Sequence, residues 1–148
     1  MNFRVRPVAL SDRDGWMALW EGYCTFYEVT LTPEVTERTW QRINTPGSGM
    51  AALMAVDDGE KSVGLCNYVR HPNTWSDRTV CYLEDLYVAE AARRSGVGTR
   101  LIEALVEIGW REDWFRIYWH TMTDNARARA VYDRLATRTD HVRYEISL

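Results

Sequence analysis

Apolar positions change period along the chain, and each change marks an element. Phe3–Val8 alternates apolar and polar residues as a half-buried strand does; Pro7 ends the alternation and the Ser11-Asp12 pair caps a helix. Trp16, Leu19, Trp20, Tyr23, Phe26 and Tyr27 follow at steps of three and one, a wide aromatic stripe facing a core. Thr32-Pro33-Glu34 starts a second helix, with Thr32 as N-cap and Pro33 in the first turn, running to Asn44 and the Thr45–Gly49 loop. Met50–Val56 and Ser62–Arg70 are strands joined by Asp57-Asp58-Gly59-Glu60, a strong hairpin signal. Val80–Val88 is a further strand, rich in β-branched, aromatic and leucine residues. Val97, Leu101, Ala104, Leu105 and Ile108 recur at helical spacing. Trp114–His120 predicts another strand, Asn125–Leu135 a short helix, and Thr139–Ile146 a closing strand. This order mixes hairpins with a right-handed crossover. It predicts an α/β fold, a mixed and largely antiparallel sheet with helices on both faces. No repeat or linker interrupts it, so residues 1–148 read as a single domain.

Composition narrows the class. Hydrophobic residues make up 46% and charged residues 26%, ordinary for a soluble globular chain. No apolar run approaches the length of a membrane span, and Asn2–Pro7 holds no signal-peptide core. Cys24, Cys66 and Cys81 are odd in number and lack metal-ligand spacing, which predicts reduced thiols and a cytoplasmic setting without a metal. Residues 1–90 carry 13 acids and 8 bases, whereas residues 91–148 carry 8 acids and 10 bases. That division suits an anionic ligand on the second half and a cationic one near the first. A negative net charge and the absence of an aromatic-basic stripe exclude nucleic acid as a partner.

The junction between the Val80–Val88 strand and the next helix is where chemistry enters. It reads Arg93-Arg94-Ser95-Gly96-Val97-Gly98-Thr99. Free N–H groups at a helix start, the helix dipole and glycines that admit close approach together make an anion cradle. A glycine-rich helix entry without a ligand is the plain alternative. Strand, arginines, glycines and an amphipathic helix in that order favour a phosphate-bearing ligand.

These residues resemble the pyrophosphate signature of the GNAT superfamily of acetyl-CoA-dependent N-acetyltransferases, Arg/Gln-x-x-Gly-x-Gly/Ala. A second family signature, Asn-x-x-Ala followed by Tyr, is matched by Asn125, Ala128 and Tyr132. The resemblance covers essentially the whole chain. Within the superfamily it is closest to spermidine/spermine acetyltransferases and small histone- and polyamine-acetylating relatives, through Tyr82-Leu83-Glu84-Asp85-Leu86 and Tyr27-Glu28. Two positions depart from the pattern: Arg94 replaces the usual glycine, and Ala136-Thr137 replaces a Gly-Phe/Tyr pair.

The resemblance implies a sheet splayed between the Val80–Val88 and Trp114–His120 strands, and direct acetyl transfer from acetyl-CoA, without metal, to a primary amine. It implies that Leu86, Tyr87 and Val88 bind the pantetheine arm, that Arg93, Arg94, Ser95, Gly96, Val97, Gly98 and Thr99 wrap the pyrophosphate, and that Asn125 and Ala128 border the acetyl end. Tyr132 is the implied acid for the leaving thiolate. Glu84 is the implied acceptor of the amine proton, and Tyr27, Glu28 and Glu84 face the amine. The chemistry is demanding: an alkyl amine with pKa near 10.4 holds its reactive form about 3.4 units uphill at pH 7, roughly 4.6 kcal/mol. The expected acceptor is a polyamine, diamine or amino-acid-like amine, and the resemblance favours a homodimer. A protein-lysine or histone-tail acetyltransferase and a non-catalytic CoA-binding module are the alternatives. A dinucleotide oxidoreductase is disfavoured because Leu101 stands where a third glycine would fall, and a cysteine hydrolase because His71, His120 and His141 flank no nucleophile motif.

Overall fold

A computed structural model describes residues 1–148. Five strands form one sheet in chain order: β1 (Phe3–Pro7), β2 (Met50–Asp57), β3 (Ser62–His71), β4 (Val80–Val88) and β5 (Arg116–Tyr118). β1 to β4 pair antiparallel, and β4 pairs parallel with β5. The helices are α1 (Arg13–Phe26), α2 (Pro33–Ile43), α3 (Val97–Arg111) and α4 (Ala126–Leu135). The sheet is therefore mixed and largely antiparallel, as the periodicity predicted.

Local chemistry accounts for the boundaries. Thr32 caps α2 by accepting from the Val35 N–H, and Pro33 takes the first helical position. At the β2–β3 turn the Asp57 carboxylate accepts from the N–H groups of Gly59 and Lys61, closing the hairpin.

Two cores flank the sheet. On one face the aromatic stripe of α1 delivers Trp16, Leu19 and Trp20 onto Met54, Val56 and Leu65, with Trp40 and Ile43 of α2 beside them. Trp16 is fully buried, stacked on Trp20 at 5.5 Å and tilted against Trp40 at 5.4 Å. On the other face α3 presents Val97, Leu101, Ile102, Leu105 and Ile108 to Leu53, Cys66, Cys81 and Leu83. Gly64 on β3 allows the close seat of α3, since a Cβ there would lie 2.8 Å from Val97 Cγ1. Cys66 and Cys81 are buried free thiols, packed in strands as expected.

Two expectations fail. The strand predicted over Trp114–His120 is paired only from Arg116 to Tyr118, because the parallel ladder with β4 ends at Tyr82↔Tyr118. The closing strand predicted over Thr139–Ile146 is absent. Residues 137–148 have no regular structure and make no backbone hydrogen bond in the chain. Alternation marks a segment as able to pair, but this one forms no ladder with the open outer edge of β5.

Candidate active site

β4 carries one residue more than its partner. Asn67 of β3 faces Asp85 and Tyr68 faces Leu83, so Glu84 has no counterpart across the ladder. A bulge of this kind re-aims the residues that follow it. Glu84 is left exposed, and its neighbour Asp85 is turned toward α1.

Asp85 sits in a built environment. Asn67, the one polar residue in the buried set, donates from Nδ2 to Asp85 Oδ2 at 3.2 Å. Its own Oδ1 accepts from Trp16 Nε1 at 3.1 Å, which fixes the amide orientation. Burial pushes the Asp85 carboxyl up to about 6; the Asn67 amide and the Tyr23 phenol oppose that rise, and the Glu84 charge adds to it. The same carboxylate reinforces the rise that burial causes at Tyr23, Cys24 and Tyr27 of α1. Asp85, Tyr23 and Asn67 form the acidic centre that sequence reasoning missed. Asp85 lay inside the Tyr82–Leu86 motif, but the role of proton acceptor was placed on its neighbour Glu84.

Beyond Tyr82 the β5 side of β4 is open. Ladder pairs run only from Val80 to Tyr82, so Leu86, Tyr87 and Val88 have β3 on one side and no strand on the other. This is the splay implied by the resemblance. Tyr132 projects from α4 at that end of the sheet, edge-on to Trp119 at 5.4 Å. Its hydroxyl donates to no group of the chain, and burial, with lesser effects from Tyr27 and Cys66, pushes its pKa up to about 12. Asn125 is the N-cap residue of α4 and holds Thr121 Oγ1 through Nδ2 at 3.1 Å, one turn before half-buried Ala128.

The turn after β4 is shaped for an anion. Each backbone N–H from Arg94 through Thr99 lacks an acceptor in the chain. Gly96 caps α3 at φ +81, a left-handed conformation that glycine adopts freely. Arg94 is also left-handed, at φ +66, which explains why the family pattern has glycine there. Its side chain is exposed. Arg93 is held in place: Nε donates to the Val88 carbonyl at 3.2 Å, and the guanidinium lies 5.8 Å from both the Phe26 and Tyr87 rings. Ser95, Gly98 and Thr99 are half-buried along the turn and the first turn of α3, and Val97 is buried in the core. A cleft of about 510 Å³ lined by Gly22, Phe26, Tyr87, Glu90 and Arg93 borders the turn. A second cleft, about 270 Å³ beside Arg70, lies at the opposite end of the strands and joins none of these residues.

Glu28 stands apart. It is exposed just past α1 at φ +55; its backbone N–H donates to the Thr25 carbonyl, and its carboxylate has no hydrogen-bond or ion-pair partner. No cluster of three or more His, Cys, Asp or Glu side chains capable of holding a metal occurs in the chain.

A bulged strand thus opens beside a parallel neighbour, and a turn of free N–H groups leads from it into a helix. The chain belongs to the acetyltransferase (GNAT) family, whose model matches residues 16–136. It is 32% identical over 142 residues to the D-amino-acid N-acetyltransferase HPA3 of Saccharomyces cerevisiae, covering 95% of this chain and 88% of that protein. The crystal structure of a probable acetyltransferase superposes with a TM-score of 0.87 at 24% identity, over 98% of this chain and 97% of that one. AAC(6')-Iy, in complex with the bisubstrate analogue CoA-S-monomethyl-acetylneamine, superposes with a TM-score of 0.84 at 17% identity, over 100% of this chain and 99% of that one. The protein is thus an acetyltransferase enzyme of the GNAT family.

Proposed function

We propose that the protein transfers acetyl from acetyl-CoA directly to the primary amine of a small acceptor, with amino-acid-like amines ahead of polyamines. The observation that carries this reading is the open β4 edge at Leu86–Val88, continuous with the unpaired N–H groups of Arg94–Thr99. That surface fits an extended pantetheine arm ending in a pyrophosphate, and acetyl-CoA bound there supplies the activated acetyl group. The curated relative acts on D-amino acids by name, which favours an amino-acid-like acceptor. The isolation of Glu28 weakens the case for a long polyamine spanning two anionic subsites. No helix is long and apolar enough to cross a membrane, and the three free thiols support a cytoplasmic setting. On the strength of the resemblance, we take the protein to act as a homodimer.

The residue roles follow from environment. Asp85 receives the ammonium proton, directly or through water. Against an amine near 10.4, raising this carboxyl from 3.8 to about 6 narrows the proton-transfer gap from roughly 6.6 units to about 4.4, some 3 kcal/mol. Glu84, on the exposed bulge, draws the cation toward it. Tyr27 borders the acceptor, and Asn125 with Ala128 borders the acetyl end. Tyr132 holds a proton at Oη for the departing sulfur.

Purified protein with acetyl-CoA, assayed by thiol release against D- and L-amino acids, simple monoamines, spermidine and a lysine peptide, tests the proposal. Turnover of small amines, led by amino acids, is the expected result. Silence across the panel, or turnover of the lysine peptide alone, overturns it.

A further inference from the structure

Where β4 and β5 part, the two faces of β5 carry different chemistry. Ile117 and Trp119 pack into the core under α3, Trp119 against Tyr132, on the side proposed for the thioester. Alternation sends Tyr118 and His120 to the opposite face. β4 behaves alike: Cys81 and Leu83 join the core under α3, and Tyr82 does not. Tyr82 and Tyr118 are the final ladder pair before the strands diverge, stacked at 4.9 Å. The His120 ring meets both edge-on, at 5.5 Å and 6.0 Å, so it shares their face.

Hydrogen bonding within this cluster leaves one group free. The Pro72 carbonyl accepts from His71 Nδ1 at 2.7 Å, so Nε2 of the neutral ring accepts from the Tyr118 hydroxyl at 2.9 Å. His71 and Tyr118 satisfy each other. His120 uses only Nδ1, which lies 3.3 Å from the Tyr82 hydroxyl. With Tyr82 donating to Nδ1, the ring proton stands on Nε2, which has no partner in the chain. Burial raises the pKa of both Tyr82 and Tyr118, and the Glu84 charge adds to the rise. The cations that lower them are occupied: Arg116 lies over the Trp75 and Phe115 rings, and Arg143 pairs with Glu145. Exposed His120 is therefore the free donor on a wall whose other charged groups, Glu84 and Asp85, are acids.

We propose that His120, positioned by Tyr82, binds the carboxylate of the acceptor through Nε2, and that the Tyr82–Tyr118 stack packs the acceptor's side chain. This rests on the amino-acid reading of the acceptor and names the group that makes the choice. A zwitterion whose ammonium is drawn to Asp85 and Glu84 brings a carboxylate onto the same wall. Left without a donor beside two acids, that carboxylate would be repelled and would lose its hydration unrepaid. A polyamine carries no such group and gains nothing from an imidazole N–H. One donor thus separates amino acids from amines of the same skeleton, because a site built to hydrogen-bond a substrate group rejects the analogue that lacks it.

Phenylalanine and phenethylamine differ only in the carboxylate, so comparing them reads this contact alone. With acetyl-CoA and thiol release as the assay, the parent should show the higher kcat/KM for the better phenylalanine enantiomer. His120→Phe keeps a flat ring against the tyrosines and removes the N–H. It should lower the phenylalanine-to-phenethylamine ratio of kcat/KM by about tenfold or more, through KM for the amino acid, as loss of a hydrogen bond to a charged group does. His120→Gln, which keeps an amide N–H near the Nε2 position, should restore most of the ratio. A purely structural role predicts equal losses on both amines and no rescue by glutamine. Equal losses, an unchanged ratio, or a parent that prefers phenethylamine overturns the proposal. Phenylalanine turnover with an unchanged ratio in His120→Phe would leave the amino-acid reading standing, whereas a parent silent on phenylalanine but active on spermidine sinks both.

Discussion

Asp85 is held at a cost that its neighbours only partly offset. A carboxyl whose folded pKa is raised above its unfolded value binds its proton more tightly when folded. It therefore lowers stability as pH rises from about 3.8 through about 6, and the penalty is constant above that. At 1.36 kcal/mol per unit the penalty is at most about 3 kcal/mol. Asp85→Asn should accordingly melt higher than the parent at pH 8, with the difference shrinking below pH 6 and gone near pH 4. The same variant should lose about 10²-fold or more in kcat/KM for amine and lose any acid limb near pH 6. The charged and titratable neighbours of Asp85 are Tyr82 and Glu84 on its own strand, Tyr23, Cys24 and Tyr27 on α1, and Cys66 on β3. Lower stability of the Asn variant at pH 8, by denaturant titration, would show that the buried charge is not strained. Tyr132 is constrained differently. Full transfer from a phenol at about 12 to an ordinary thiolate near 8.5 is uphill by roughly 3.5 units, or about 5 kcal/mol. Its hydroxyl therefore acts chiefly as a hydrogen-bond donor to sulfur as charge develops. Tyr132→Phe should lower kcat by about 10²–10³-fold, as loss of one such donor does, with acetyl-CoA affinity nearly unchanged. Near-parental kcat in single-turnover assays would reduce Tyr132 to packing against Trp119.

At the scale of elements, the β4 bulge and the turn into α3 do different work from the same strand. The bulge turns Asp85 under α1, and the end of β4 leads into a turn whose N–H groups α3 leaves free. Gly96 separates conformation from space in that turn. A Cβ there meets nothing within 4 Å, but φ is +81. Gly96→Ala should cost about 1–2 kcal/mol of stability from the left-handed backbone alone and weaken acetyl-CoA modestly. Gly96→Glu adds a carboxylate to the cradle and should weaken it at least a hundredfold, by calorimetry, in a protein that still folds. Equal affinity in the Glu variant would place the pyrophosphate elsewhere. α1 serves both core and site: Trp16 anchors it and orients Asn67 through one indole N–H, while Tyr23 and Tyr27 approach Asp85 from the same stripe. The helical period showed that face, but not which of its aromatics would be core and which would meet a carboxylate.

In the whole molecule, the acidic first part of the chain supplies Glu84 and Asp85, and the basic remainder supplies Arg93, Arg94 and α3, so the charge division read from the sequence agrees with the acceptor and donor sides proposed above. Element type and order, the capped start of α2, the Asp-Gly hairpin and the glycine turn were legible without coordinates. Each is set by local chemistry: side-chain period, a hydroxyl cap, a residue able to take positive φ. Three features were not legible, because each depends on a partner distant in sequence. Glu84 lies outside and Asp85 inside because β4 is paired to β3 with one residue extra, a register that only the two strands together define. β5 is short because its ladder with β4 stops at Tyr82. The segment after α4 carries a strand's alternation, but alternation becomes a strand only where a ladder forms, and residues 137–148 form none although the outer edge of β5 is unpaired.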